Sequence, residues 1–539
     1  MSLIYADSID RARCPEEVGV DTFVLRDFFD ELKSTGYRFK NIMVLRHGKV
    51  VAECTKYPFV AEMPHTMFSF SKVVTAVAIG FAVNEGLLRM DTTINELFAD
   101  SYSEKILKKT EGINVSHLLM MTAGKSVSLF DDKEKGDWLD NYMKSRAFAK
   151  PGEKFKYISE NTYVLGRMLT KVSGQTISEY LRPRLFEPLK IDFPHWDKDK
   201  EGFDAGGWGL FLNIEDMAKL TQCFLQDGVW NGMQIIPEGW VEAMVTPYTR
   251  GLYGLDAKEL GFGFNTWCGR ADGYYRFEGL YSQFSFVYPN HDACVVINCS
   301  DITHKKIFDL VDKYFPHAFK DDLQVVSEDI AEEFRESLND FSFDILPVAP
   351  RNYATEAGLS GNTYKLLPQK FASMLPLSAV FPLATRPGYL KNLTFDFSEN
   401  YAEIRWTERN SGENTLCVNL DGKRRLSKVQ ICDMQLNMLA YGAWHSDGTF
   451  EIQIFTMEIP EVRTWKITFG KKKIKIINSL SPNLYETLDN KYRFEGIKTN
   501  IILDIVAKIS NAVGNIYFAS TYMPGKLVKK PEIKEDKKK

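Results

Sequence analysis

The second half of the chain changes its hydrophobic period, and this change constrains the fold more than any other feature. Between residues 390 and 480 apolar residues alternate with polar ones, and Gly, Asn and Asp separate the alternating runs. Such alternation between turns predicts an antiparallel sheet that closes into a barrel or packs as a sandwich. The first 320 residues lack this uniform period, and a chain of 539 residues is too long for one hydrophobic core. We therefore expect at least two domains.

The first part of the chain mixes strand and helix patterns. Two apolar runs on either side of a turn predict a hairpin over 41–54, and the segment 70–88, rich in Ala and Val, has a helical pattern. A sheet that is split in sequence, with helices between its strands, predicts an α+β layered domain. Strand-like segments recur later in this part, at 261–268, 274–288 and 293–299.

Changes in composition suggest where the parts of the chain begin and end. An acidic helical stretch and a proline-containing segment separate the two patterned parts, and the C-terminus is a mixed charge run. We predict a mixed α+β domain over 1–320, an acidic helical linker over 321–350, an all-β barrel over 351–525 and a disordered charged tail over 526–539.

Charge and cysteine usage narrow the functional classes. The net charge of −4 gives no sign of nucleic-acid binding. The 8 cysteines are scattered without metal-ligand spacing, so we expect reduced thiols, no metal and no cofactor. The chain shows neither a signal peptide nor an apolar run long enough to cross a bilayer, which predicts a cytoplasmic protein without a membrane partner. The expected partner is a small-molecule substrate, and the oligomeric state is left open.

The first motif with chemical potential is Ser69-Phe70-Ser71-Lys72, an S-x-x-K at the start of the predicted helix. Residues three apart share a helix face, so both side chains can enter one pocket. A serine hydroxyl needs a base to become a good nucleophile, and burial at a helix N-terminus favours the neutral, basic form of lysine. The alternative is that Ser69 caps the helix and Lys72 is a solvated side chain.

Two further segments are candidates for the same site. Tyr157, in PGEKFKYISENTYVLG, can serve as a base near neutral pH only beside a cation such as Lys72. The alternative is a buried tyrosine ahead of a helix that Ser159 or Asn161 caps. The segment Gly279–Gln283 lies in the middle of a strand pattern, where a glycine often marks close backbone approach by a ligand and a free N–H would complete an oxyanion hole. The alternative for this segment is a bulge or an edge.

Taken together, HTMFSFSKVVTAVAIGF, PGEKFKYISENTYVLG and AGGWGLFLNIEDMAKL resemble the serine β-lactamase/penicillin-binding-protein superfamily. The resemblance is nearest to the class C β-lactamase, family VIII esterase and nylon-oligomer hydrolase branch. It implies a β-lactamase/transpeptidase-like α+β domain, an antiparallel sheet flanked by helices. The later stretch that opens with LSGNTYKL resembles the lipocalin-like β-barrel appended to many of these hydrolases.

The resemblance also implies roles for individual residues. Ser69 would be the acylated nucleophile, Lys72 its base, and Tyr157 the general acid/base that serves the leaving group and the water. The backbone N–H groups of Ser69 and Gln283 would form the oxyanion hole. The expected pocket residues are Ser159, Leu280, Tyr281 and Ser282.

Two departures from the family pattern bear on the substrate. Ser159 replaces the asparagine of the Tyr-x-Asn motif, and Leu280-Tyr281-Ser282 aligns with the Lys-Thr-Gly motif of β-lactamases. Leu280 cannot hold a substrate carboxylate as that lysine does, although Arg276 on the same stretch offers another cation. We therefore expect an esterase or amidase rather than an efficient β-lactamase.

Three functional hypotheses remain. The leading one is a serine hydrolase that acts through an acyl-enzyme on esters or amides, β-lactam-like ones included. The second is a catalytically weak or inactive penicillin-binding-like protein that binds a ligand. The third, a D,D-peptidase of the cell wall, is disfavoured because the sequence shows no export signal.

Overall fold

The computed structural model describes residues 8–126, 137–192, 195–249, 261–269, 274–302, 304–368, 373–376, 388–482 and 520–528. These residues divide into two compact units, of which the first extends to Phe343 and the second begins at Asp344. The first unit is mixed α/β and the second is almost entirely β, which confirms the predicted fold class. The domain limits at 320, 350 and 525 stay predictions.

The first unit contains eleven described strands. They are β1 Phe39–Arg46, β2 Lys49–Thr55, β3 His65–Thr66, β4 Phe211–Leu212, β5 Val229–Trp230, β6 Met233–Gln234, β7 Gly261–Phe262, β8 Trp267–Cys268, β9 Tyr275–Gly279, β10 Gln283–Tyr288 and β11 Ala293–Cys299. Seven of them form an antiparallel sheet in the order β2-β1-β11-β10-β9-β8-β7. β1, early in the unit, therefore pairs with β11, late in the unit. Most of the helices of the unit lie between these two strands in sequence.

The helices of this unit precede, separate and follow these strands. They are α1 Thr22–Ser34, α2 Ser71–Asn84, α3 Ile94–Phe98, α4 Glu104–Leu107, α5 Val115–Leu119, α6 Trp138–Lys144, α7 Ser159–Ser173, α8 Ile177–Leu181, α9 Ile214–Leu225, α10 Trp240–Val245, α11 His304–Tyr314 and α12 Glu328–Ser337. No helix among the described residues is long and apolar enough to cross a membrane.

A separate hydrophobic core covers each face of the sheet. Successive side chains of a strand point to opposite faces, so Val296 joins the core with α2, α7 and α9, whereas Val295 joins the core with α1 and α11. The acidic helix α12 contributes Phe334 to the second core. All residues of α2 from Ser71 to Ala82 are buried, which explains its apolar composition on every side.

Most of the predicted elements of this unit are present, but two predicted strands are each a pair of strands. The segment 261–268 is β7 and β8, which pair with each other. The hairpin expected over 41–54 is β1 and β2, and the helix expected over 70–88 is α2, preceded by a 3-10 turn at Phe68–Phe70. The strand expected over 274–288 is instead two strands, and the mid-strand position predicted for residues 279–283 is wrong. Tyr281 and Ser282 both have φ of 61°, a left-handed conformation that cannot continue a strand, so the chain turns there.

The second unit has one helix and ten described strands. They are α13 Tyr353–Leu359, β12 Asn362–Leu366, β13 Leu390–Phe397, β14 Tyr401–Glu408, β15 Gly412–Asn419, β16 Leu426–Ile431, β17 Met434–Trp444, β18 Phe450–Thr456, β19 Val462–Phe469, β20 Lys473–Ser481 and β21 Ser520–Val528.

Nine of these strands close into a barrel, which confirms the predicted all-β architecture. Antiparallel neighbours run from β15 through β12 and β21 to β17, and a short parallel pairing of Val418 with Ala440 and Asn419 with Tyr441 joins β15 to β17. β16 extends the sheet outside the ring from β17. In β14, Ile404 is buried and Arg405 is exposed, the alternation that closure requires.

Gln222 of α9 is a polar residue in the core of the first unit. It is 2% exposed, and among the described residues neither atom of its amide has a hydrogen-bond partner. Removing an unpaired buried polar group relieves a desolvation cost. We therefore expect Gln222→Met to raise the free energy of unfolding by about 1 kcal/mol, measured by urea titration with an unchanged m-value.

The adjacent residue provides the control. The buried Thr221 hydroxyl contacts the Met217 carbonyl oxygen at 2.7 Å and Ser285 Oγ at 2.7 Å. Thr221→Val should lower the free energy of unfolding by about 1 kcal/mol, because it removes these bonds. Equal destabilisation by the two substitutions would contradict the prediction.

Candidate active site

Ser69 and Lys72 are in direct contact at the start of α2. Ser69 lies in the 3-10 turn before the helix, and Lys72 is its second residue. Lys72 Nζ donates a hydrogen bond to Ser69 Oγ at 2.8 Å and another to the Gly207 carbonyl oxygen at 2.7 Å. Lys72 is 1% exposed, so the alternative of a solvated lysine is wrong. Ser69 itself is partly exposed, which places a hydroxyl that substrate can reach beside a buried amine.

The backbone before Ser69 has an unusual conformation. Phe68 has φ of 46°, in the left-handed region that large side chains rarely adopt. Two contacts flank this residue: Met67 N–H donates to the Leu210 carbonyl oxygen at 2.8 Å, and the Phe68 ring lies 5.4 Å from the ring of Tyr281. Strain of this kind is concentrated at functional sites, where surrounding contacts maintain it.

The glycine-rich segment 205–210 runs along the first turns of α2. Thr75 Oγ1 donates to the Gly206 carbonyl oxygen at 2.9 Å, and Leu210 N–H donates to Ser71 Oγ at 3.1 Å. A Cβ on Gly207 would overlap the carbonyl oxygen of Ser159, so only glycine allows this approach. The sequence does not predict the Gly207 carbonyl as a partner of Lys72. The sequence feature that points to this segment is the glycine pair Gly206-Gly207.

Tyr157 lies on the same side of the unit as Ser69. Its ring centroid is 4.9 Å from Lys72 Nζ, and the side chain is half-buried. Trp267 stacks on Tyr157 with ring centroids 5.9 Å apart, and Phe262 contacts it edge-on at 6.0 Å. The structure thus brings Ser69, Lys72 and Tyr157 together, and the phenol ring contacts both the Lys72 amine and the rings of Trp267 and Phe262.

Ser159 begins α7 beside Gly207, but it does not cap the helix. The N-cap position belongs to Ile158, and no side chain provides a capping hydrogen bond there. Asn161, the other predicted cap, instead accepts a hydrogen bond from the Tyr142 hydroxyl at 3.0 Å. Ser159 is buried beside Gly207, the residue whose carbonyl oxygen accepts from Lys72, so it lies next to the site.

The turn between β9 and β10 contacts the segment before Ser69. A Cβ on Gly279 would overlap the Met67 carbonyl oxygen, so the backbones meet closely there. Ser282 is buried, and its hydroxyl donates to the Asp301 carbonyl oxygen at 2.9 Å. The Tyr281 side chain is buried too, whereas Leu280 is partly exposed.

Arg276, the alternative cation, is committed to an ion pair within β9. It is buried, and its Nε lies 3.0 Å from Glu278 Oε2, while His304 Nδ1 lies 3.2 Å from the other carboxylate oxygen. Burial alone would raise the pKa of Glu278, but Arg276 and His304 outweigh it and hold that pKa below its ordinary value. The Arg276 guanidinium also lies 4.7 Å from the ring centroid of Phe308 in α11 and 5.5 Å from that of Trp267, the residue that stacks on Tyr157.

The close approach at Gly207 generates a test of the Lys72 environment. Gly207→Ala should displace the carbonyl that accepts from Lys72 Nζ, because the new Cβ overlaps the Ser159 backbone. We expect the rate at which Ser69 reacts with a fluorophosphonate probe to fall by about tenfold or more, since misplaced reacting groups are costly. Intact-mass spectrometry and circular dichroism would measure labelling and folding.

Gly358 of α13 is the matched control for that variant. It is exposed, has no positive φ, and a Cβ there meets nothing within 4 Å. Gly358→Ala should keep the wild-type rate of Ser69 labelling. An unchanged labelling rate in Gly207→Ala would show that the position of the Gly207 carbonyl is unimportant.

Comparison with known proteins shows the relatives of this chain. Residues 33–304 match the family model described as Beta-lactamase. The chain is 26% identical over 227 residues to 6-aminohexanoate-dimer hydrolase of Paenarthrobacter ureafaciens, covering 39% of this chain and 57% of that protein. It is 26% identical over 193 residues to a β-lactamase of Escherichia coli K12, covering 32% of this chain and 50% of that protein. The chain thus matches about half the length of these two relatives.

A solved structure is similar as well. A penicillin-binding protein from Bacillus halodurans superposes with a TM-score of 0.42 at 17% identity, covering 54% of this chain and 99% of that one.

Proposed function

Because the chain belongs to the β-lactamase family, a superfamily of serine hydrolases, we propose that it hydrolyses uncharged esters or amides through an acyl-enzyme on Ser69. The observation that carries the proposal is the 2.8 Å hydrogen bond between Lys72 Nζ and Ser69 Oγ. It joins a buried amine to a partly exposed hydroxyl, the pairing that an activated serine needs.

The proposed reaction has two halves. Ser69 Oγ bonds to the substrate carbonyl carbon while its proton passes to the neutral amine of Lys72. The C–O or C–N bond then breaks, and Tyr157 supplies a proton to the leaving group. A water molecule then adds to the ester carbonyl of Ser69 and gives a proton to the Tyr157 phenolate. The bond between the acyl carbon and Ser69 Oγ breaks, Lys72 returns its proton to Oγ, and the acid leaves. Backbone N–H groups of Ser69 and Gln283 stabilise the oxyanion in this scheme.

The turn after β9 supports a substrate without a carboxylate. Leu280 is the partly exposed residue of the turn, and it has no charge to offer. The Ser282 hydroxyl donates to Asp301, and the Arg276 guanidinium pairs with Glu278. One relative is named for cleaving an aminohexanoate dimer and another is named a β-lactamase. The proposal of a substrate without a carboxylate rests on Leu280 and on the ion pair that occupies Arg276.

A second candidate function is ligand binding without turnover. The observation in its favour is the same turn, because burial of Ser282 removes a hydroxyl from a wall of the proposed pocket. A covalent probe distinguishes it from the hydrolase, since only an activated serine reacts.

The first prediction of this proposal concerns Ser69. A fluorophosphonate probe should label the wild type, and Ser69→Ala should abolish both labelling and ester turnover, because no covalent route remains. Intact-mass spectrometry and p-nitrophenyl butyrate hydrolysis would measure the two effects. Ser103→Ala is the control, because Ser103 is exposed and its side chain makes no capping bond. Near-normal turnover by Ser69→Ala would refute the assignment.

The second prediction concerns substrate choice. After correction for uncatalysed reactivity, kcat/KM for p-nitrophenyl butyrate should exceed that for nitrocefin. A charge-assisted hydrogen bond contributes about 1.5–3 kcal/mol, so its absence lowers β-lactam reactivity by about ten- to a hundredfold. Leu280→Lys should recover part of that factor for nitrocefin, whereas Leu280→Met should not. A wild type that prefers nitrocefin would show that Leu280 is no deficit.

A further inference from the structure

The turn Leu280–Ser282 is, after Phe68, the second strained part of the proposed active site. It joins β9 to β10, and the register pairs Gly279 with Gln283 across it. Tyr281 and Ser282 are both in the left-handed region, each with φ of 61°. Neither residue is glycine, so this conformation is unfavourable unless other contacts maintain it.

The carboxamide of Gln283 supplies those contacts. Its Nε2 donates to the carbonyl oxygens of Tyr281 at 3.0 Å and Cys299 at 2.8 Å, and lies 3.3 Å from that of Leu280. Its Oε1 accepts from Cys299 N–H at 3.2 Å. Asn298 Nδ2 lies 3.4 Å from the same Oε1. The side chain is 0% exposed, and it ties the turn to the end of β11.

The turn is also in contact with the residues that precede Ser69. Gly279 approaches the Met67 carbonyl so closely that a Cβ would overlap it, and the rings of Phe68 and Tyr281 lie 5.4 Å apart. A shift of the turn therefore displaces Met67 and Phe68 or opens a gap beside them. Either change alters the surroundings of the Ser69 hydroxyl.

We propose that the Gln283 side chain is a positioning group, which holds the turn Leu280–Ser282 in the geometry needed for attack by Ser69. This inference rests on the proposed hydrolase function. It assigns the carboxamide a role separate from the backbone N–H of the same residue, because the amide donates to the Tyr281 carbonyl oxygen of the turn while it is anchored to Cys299 in β11.

Gln222 provides an internal comparison for this assignment. It is also a buried glutamine of the first unit, and within the described ranges its amide makes no hydrogen bond. A role that depends only on filling volume in the core would be shared by both glutamines. A role that depends on hydrogen bonds belongs to Gln283 alone.

The experiment compares Gln283→Met with Gln222→Met in the full chain. We expect Gln283→Met to lower kcat for p-nitrophenyl butyrate by about 10- to 100-fold, since a small misplacement of an active-site group can cost about 100-fold, with KM changed by less than about threefold. Fluorophosphonate labelling of Ser69 should slow by a similar factor. Gln222→Met should leave kcat and labelling unchanged.

Hydrogen exchange gives a readout that does not depend on activity. In a peptide covering residues 277–286, the amides of the turn should exchange at least about tenfold faster in Gln283→Met and at the wild-type rate in Gln222→Met. Ser282→Ala is a milder variant in case Gln283→Met does not fold, because it removes the hydroxyl that donates to the Asp301 carbonyl oxygen and keeps the Gln283 carboxamide. It should show intermediate exchange and an intermediate kcat.

The outcomes separate this inference from the proposed function. Unchanged exchange in the turn, or an equal loss of kcat in both glutamine variants, would overturn the positioning role. Faster exchange in Gln283→Met together with no ester hydrolysis by the wild type would support the role of the Gln283 side chain in holding the turn. The same result would count against the proposed function.

Discussion

The buried amine of Lys72 requires acceptors, and the way the chain supplies them organises the whole candidate site. A lysine nitrogen in a protein core is costly unless hydrogen bonds replace those it makes with water. Here one acceptor comes from Ser69, three residues away, and the other from Gly207, far along the sequence. The second requires the glycine-rich segment to lie against α2 and α7, so the position of Lys72 depends on a three-way contact of backbones.

Local sequence predicts the part of this site that depends on local geometry. The S-x-x-K spacing on a helix places Ser69 and Lys72 together, and the hydrophobic periods predict the sheet, helix α2 and the barrel. Tyr157 is different, because its nearness to Lys72 comes from packing between distant segments. Its assignment depended on the resemblance to a family, and the structure places its ring 4.9 Å from Lys72 Nζ.

Long-range backbone contacts explain what the sequence does not reveal. Gly207 acts through a carbonyl group, which every residue has, so no side-chain pattern identifies it. The segment Gly279–Gln283 reads as a strand because its apolar neighbours suit one, yet two left-handed residues turn it. Such conformations cost about 1–2 kcal/mol each for residues other than glycine, and tertiary contacts, here those of Gln283, override the local preference.

The two buried glutamines show why burial and residue type alone do not identify function. Gln222 and Gln283 belong to the same unit and are almost fully excluded from solvent. The amide of Gln222 is unpaired among the described residues, whereas that of Gln283 bonds the Tyr281 carbonyl oxygen in the turn and both backbone groups of Cys299 in β11. A carboxamide can satisfy donors and acceptors at once, and a strained turn beside a nucleophile needs both. The hydrogen-bond partners, rather than the depth of burial, therefore separate a residue that fills the core from one that fixes a reacting geometry.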